Sequence, residues 1–242
     1  MVFSFRKRAA AREELARQLS GVGSLVEPAR RELYLYVAAQ PDVVSREQAA
    51  DATALPLHSV KFHLDRLVDA GLLETEFRRL SGRSGPGAGR PAKLYRRSAR
   101  QLSVSLPERH YDLAGDVLAA AIDTSMAEGR PVAETVAAAA RDAGRRMVAG
   151  YLAETAGDPP AGELEQVADV LGGHGYEPRV LEREVCLANC PFDRLAAEHT
   201  ELVCGMNHTL IGAVLEGLET RSSRAVLAPQ PGLCCVRIED AR

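Results

Sequence analysis

A fold that is mainly α with small β elements, built as a helical N-terminal head with a hairpin plus a C-terminal α/β domain, is predicted by three observations. Apolar residues recur at helical spacing through most of the 242 residues. Charge divides along the chain: residues 1–100 carry a net +7 and residues 101–242 a net −10, within a formal total of −3. All five cysteines lie in the last quarter, four of them readable as Cys186-x3-Cys190-x13-Cys204-x29-Cys234, with Cys235 adjacent. A basic part followed by an acidic part points to a module that meets nucleic acid joined to a module with another task. The division falls near Pro107, so residues 1–25 read as a basic N-terminal arm or helix, 26–106 as the head and 107–242 as a helical, cysteine-containing domain.

The length suits two domains, each with its own core. No stretch approaches the eighteen or so apolar residues needed to span a bilayer. The basic run in the first twenty residues precedes no apolar segment, so a secretory signal is not expected and the protein is read as cytoplasmic. In a reducing compartment, clustered cysteines more often bind metal or sense redox state than form structural disulfides.

The head opens at Pro28, where Leu33, Tyr36 and Val37 share one helical face and Pro41 supplies the stop. A second helix starts at Ser45, whose spacing to Gln48 has the form of a capping box. A third runs from about Pro56 to Ala70 and ends at Gly71, with Leu57, Val60, Leu64, Leu67 and Val68 within one arc as its core face. The opposite side presents His58, Ser59, Phe62 and Arg66, flanked by Lys61. An exposed aromatic among basic and hydroxyl groups suits base edges and thymine methyls in a major groove. Leu73, Thr75 and Phe77 then alternate as a strand, a glycine- and proline-rich basic loop follows, and Lys93 to Arg97 resumes the hairpin. Arg79, Arg83, Arg90, Lys93 and Arg96 lie on this wing, whose tip is expected to be disordered without DNA. Such a set of phosphate contacts gives binding that falls steeply with salt.

These elements in this order predict a winged helix-turn-helix. The run His63-Leu64-x2-Leu67-x3-Gly71-Leu72-Leu73 resembles the recognition-helix signature of ArsR-type regulators. GRSGPGAGRPAKLYRR resembles the wing of the iron–sulfur-dependent Suf-operon repressor (SufR) family. The two motifs cover residues 28–98.

In the C-terminal part, Leu113, Val117, Leu118 and Ile122, then Val132, Val136, Met147, Tyr151 and Leu152, mark two helices separated near Gly129-Arg130-Pro131. Helices after a wing commonly pair two copies, so a homodimer on a double-stranded DNA operator is expected. Gly157-Asp158-Pro159-Pro160 breaks the chain, and Leu164, Val167, Val170 and Leu171 form a helix stopping at Gly172-Gly173. Tyr176 to Val185 reads as an extended pair turning near Pro178. One long helix is expected from about Asp193 to Glu219, carrying Cys204 and, one turn on, His208. Pro231-Gly232 turns into a last strand at Cys234, where one of the two adjacent cysteines faces in and the other away.

Thiolates from a loop, a helix and a strand start can converge on zinc or on an iron–sulfur core. Cys-x3-Cys-Pro, a third cysteine on the next helix and a fourth after a Pro-Gly turn resemble the cluster-binding segment of SufR-type repressors. That resemblance implies Cys186, Cys190, Cys204 and Cys234 as ligands of an iron–sulfur cluster, of the [4Fe–4S] type, with Cys235 or His208 as other choices for the fourth. It also implies a transcriptional regulator, a repressor, of iron–sulfur assembly or redox genes. A zinc- or metal-responsive regulator, or a thiol switch using Cys234 and Cys235, is the alternative. An enzyme is not expected: a nucleophile at Cys190 or Cys234 needs a histidine base and an oxyanion site, and no local signature supplies them.

Overall fold

The computed structural model describes residues 2–79, 91–155 and 162–240, with side chains from residue 13 onward. The chain forms two compact units, one of residues 10–104 and the other of residues 105–242 together with the first nine.

In the first unit, which takes α1 (Val2–Ser24) from residue 10 onward, that helix leads to α2 (Pro28–Ala38), α3 (Arg46–Thr53) and α4 (Leu57–Asp69). The Glu27 carboxylate accepts from the N–H groups of Ala29 and Arg30 and so starts α2. The capping box at α3 is complete: Gln48 N–H donates to Ser45 Oγ at 3.2 Å, and Ser45 N–H donates to Gln48 Oε1 at 2.8 Å. Val60, Leu64 and Leu67 of α4 are fully buried against Leu33, Val37 and Ala49. Leu57 departs from its expected place in that core and is exposed, being the first residue of the helix while burial starts one turn on.

The wing is an antiparallel hairpin of β2 (Leu73–Arg78) and β3 (Ala92–Arg97), with Thr75 opposite Tyr95. A two-residue strand, β1 (Val44–Ser45), adds to β3, giving the order β1-β3-β2. Two residues are too short for a period-2 pattern, which is why the sequence hid this strand. The wing tip, residues 80–90, with Arg83, Arg90 and the expectation about its order, lies outside the described residues.

In the second unit, α5 (Tyr111–Glu128) and α6 (Val132–Glu154) are the two helices expected after the wing. The face of α5 turned to the core is Ala114, Val117 and Ala121, while Ile122, Val132 and Leu152 are exposed rather than inward. The break expected at 157–160 lies outside the described residues. Then come α7 (Glu163–Gly172), β4 (Pro178–Val180) and β5 (Glu184–Leu187). The extended pair turns at residues 181–183, because Pro178 begins β4 and pairs with Leu187.

The single long helix expected after Pro191 is instead α8 (Asp193–Glu198) and α9 (Thr200–Gly217), broken at His199, whose φ of −132° is not helical. β6 (Ser223–Leu227) and β7 (Val236–Asp240) complete an antiparallel sheet of order β4-β5-β7-β6. α9 packs between this sheet and α6, burying Val203, Met206, Leu210, Ile211 and Val214. Gly144 of α6 permits that approach: a Cβ there would strike the Leu210 carbonyl and lie 2.9 Å from the Ala213 Cβ.

Candidate functional site

The DNA-reading candidates lie along α4. His58, Lys61, Phe62 and Arg66 are exposed and Ser59 is half-buried. Phe62 is 53% exposed even though its ring has company: the Arg66 guanidinium sits 5.5 Å over it and the His63 ring meets it edge-on. This cation–π contact fixes both side chains one helical turn apart, so aromatic and guanidinium are offered together. Arg79 is exposed after β2. Two wing cations are already partnered. Lys93 Nζ lies 2.6 Å from Asp65 of α4, which also accepts from the Tyr95 hydroxyl, and Arg96 pairs across the hairpin with Glu74 at 2.7 Å. Lys93 therefore fastens the wing to α4.

The cysteines occupy two different places. Cys190 precedes Pro191 in a loop, Cys204 is on α9, and Cys234 and Cys235 sit just before β7. The thiol of Cys190 interacts with that of Cys234, Cys234 with Cys235, and Cys235 with Cys204. Of the two adjacent cysteines Cys234 is buried and Cys235 half-buried, the alternation expected there, and it continues into β7 with Val236 and Ile238 buried. Cys186 is not brought to this group. It lies within β5 between Val185 and Leu187, which both face the core, so its side chain is on the other face of the sheet. There its Sγ donates to Glu184 Oε1 at 3.5 Å. His208 is likewise turned elsewhere, its Nε2 3.1 Å from the Ala225 carbonyl, and His199 is exposed.

Around the thiols the environment is apolar with one polar thread. Tyr176, fully buried, donates from its hydroxyl to Asn207 Oδ1 at 2.6 Å, and Asn207 Nδ2 donates to Cys234 Sγ at 3.3 Å. A hydrogen bond to sulfur stabilises its anionic form and tunes any metal it holds. Contact with Cys234 and then burial raise the Cys190 thiol, and burial raises that of Cys204. For Cys234, contact with Cys190 lowers the thiol, but Cys235 and burial outweigh it and push it up to about 11. Sequence reasoning missed Asn207 and Tyr176; the signal was an asparagine three residues after Cys204, set among the apolar residues of the buried face of α9.

In kind, four thiols from a loop, a helix and a strand start fit zinc or an iron–sulfur core, both of which take soft thiolate donors. They are not a closed shell as packed: among the described residues no three His, Cys, Asp or Glu side chains form a group that holds a metal ion. Loading such a site requires loss of thiol protons and rotation of side chains.

Residues 25–76 match a helix-turn-helix domain family, which is the segment from the end of α1 to the middle of β2. With the wing hairpin behind it, this domain makes the chain a DNA-binding transcription regulator. No curated protein and no solved structure matches the chain. Among the described residues, no helix is long and apolar enough to cross a membrane.

Proposed function

We propose that this regulator binds its DNA operator under the control of an iron–sulfur cluster held by Cys190, Cys204, Cys234 and Cys235, and that it acts as a homodimeric repressor of iron–sulfur assembly or redox genes. The observation that carries the reading is the meeting of four thiols from three separate elements, with the Asn207–Tyr176 thread leading to one of them. A cluster there supplies a reversible bond between loop, helix and strand start. The chain's own residues do the rest: they exclude water, and Asn207 directs an N–H at Cys234. The wing resemblance to the Suf-operon repressor family supports the same choice of group and its [4Fe–4S] type.

The test is anaerobic purification with an absorption spectrum and iron and sulfide analysis, repeated on single Cys→Ser variants. The reading expects a brown protein with broad absorption near 400 nm that bleaches in air. A colourless protein containing zinc would keep the regulator and replace the cofactor.

A second reading rests on the contact between the Cys190 and Cys234 thiols. Oxidation by a peroxide joins those sulfurs in a disulfide, the two thiol protons and two electrons reducing the peroxide to water. A loss of two mass units on treatment of the metal-free protein, reversed by dithiothreitol, is its signature.

A further inference from the structure

Three consecutive residues of the cysteine loop grip three consecutive residues of the segment that enters the second unit. Asn189 Nδ2 donates to the Glu108 carbonyl at 2.8 Å and to the Gly175 carbonyl at 2.5 Å. The Arg109 guanidinium donates to Asn189 Oδ1 and, at 2.8 Å, to the Cys190 carbonyl; it also lies 3.5 Å from the Asp193 carboxylate. The His110 N–H donates to the Pro191 carbonyl at 3.1 Å. Seating is close on the other side too. Gly175, with φ +77°, would place a Cβ 3.0 Å from the His110 ring and 3.4 Å from Glu108, so the segment packs where no side chain fits.

Residues 108–110 have a particular place in the chain. The DNA-reading unit ends at Val104, and α5 begins at Tyr111. Five peptide units, about 18 Å when fully extended, therefore separate Arg109 from that unit, and Pro107 stiffens the middle of them. The Cys190 loop is thus bonded to the short segment that lies between the end of the DNA-reading unit and the first turn of α5. Elsewhere the thiol-bearing elements are tied into the sheet and α9, remote in sequence from this exit: Cys234 N–H, for example, donates to the Leu187 carbonyl at 2.9 Å.

We propose that the Asn189–Pro191 loop transmits the state of the thiol site to the DNA-reading unit through residues 108–110, with Arg109 as the positioning residue that joins loop to linker. This rests on the thiol-site reading above. Among the described residues, the polar contacts of Arg109 go to the Asn189 side chain, the Cys190 carbonyl and the Asp193 carboxylate. Its fork is what spans Asn189, Cys190 and Asp193 at once, a span that a lysine ammonium, with its three donors on one nitrogen, does not cover.

The experiment compares full-length wild type, Arg109→Gln and Arg109→Lys, each reconstituted anaerobically with iron and sulfide and then stripped by chelation. Affinity is measured on a duplex selected by wild type from a random-sequence pool. Wild type is expected to bind about 30–100-fold more tightly when loaded, the range of an ordinary allosteric coupling. Both variants are expected to keep wild-type iron content while that ratio collapses to below about threefold. In the metal-free variants the His110 amide is expected to exchange with deuterium about tenfold faster or more, the interior of α5 remaining as protected as in wild type. A variant ratio equal to wild type, unchanged His110 exchange, or loss of iron from the variants overturns the transmission role. A wild-type ratio of one overturns the thiol-site reading itself and this inference with it.

Discussion

Cys186 stands apart from the other four cysteines for a reason that lies in a single side-chain direction. Within β5, Val185 and Leu187 are at most 1% exposed, so alternation sends Cys186 to the opposite face, beside Glu184 and across from Arg179 of β4. The x3 spacing to Cys190 imitates a ligand pair while a sheet separates its ends. Cys186→Ser is therefore expected to leave iron and sulfide content unchanged, whereas Cys235→Ser reduces it by half or more; the opposite order would contradict the ligand set. A second residue-level outcome concerns Asp65. Burial alone would raise its carboxyl, but Lys93 and the Tyr95 hydroxyl outweigh it and hold the group below its ordinary 3.8. A carboxyl lowered on folding stabilises the folded state above the unfolded value, and that contribution is lost as pH falls through the folded value. Urea midpoints of the head are thus expected to fall as pH drops below about 4, and less steeply in Asp65→Asn. Equal slopes in both proteins would show that the Lys93–Asp65–Tyr95 contact does not fasten the wing.

Among the elements, those with a chemical punctuation mark were legible. Pro28, the Ser45–Gln48 box and the apolar arc of α4 each specify a local state without help from the rest of the chain, and α2, α3 and α4 stand within a residue or two of where they were expected. The break between α8 and α9 carries no glycine or proline, and β1 and β6 form only because partners present free edges, so tertiary contacts decide them. The site followed the same division. That cysteines gather was readable from their clustering, but which of them meet depends on strand faces and on α9 docking against the sheet. This docking has a measurable weak point at Gly144. Gly144→Ala forces a methyl onto the Leu210 carbonyl and the Ala213 side chain. Overpacking of this kind is expected to cost about 1–3 kcal/mol in thermal or urea unfolding of the C-terminal unit, and a neutral substitution would mean α6 and α9 are not so closely packed.

At the scale of the molecule, the unit boundary after Val104 lies a few residues before Pro107, near which the chain passes from net basic to net acidic. Pairing of two copies is expected through α5, whose inward face is complete with Ala114, Val117 and Ala121 while Ile122 and Met126 remain 48% and 81% exposed. Sedimentation equilibrium should give twice the 26.0 kDa chain mass, and Ile122→Lys with Met126→Glu should return it to one. A wild-type monomer would remove the symmetric operator from the account. What most directly tests control of DNA reading by the thiol site is the affinity of one protein sample for its selected duplex, taken by fluorescence anisotropy before and after the cluster is removed anaerobically by chelation. The expected result is a loss of about 30–100-fold in wild type and a much smaller loss in Cys235→Ser, which starts with about half the cluster or less. Equal affinity before and after removal in wild type would leave a DNA-binding head with no sensor attached to it.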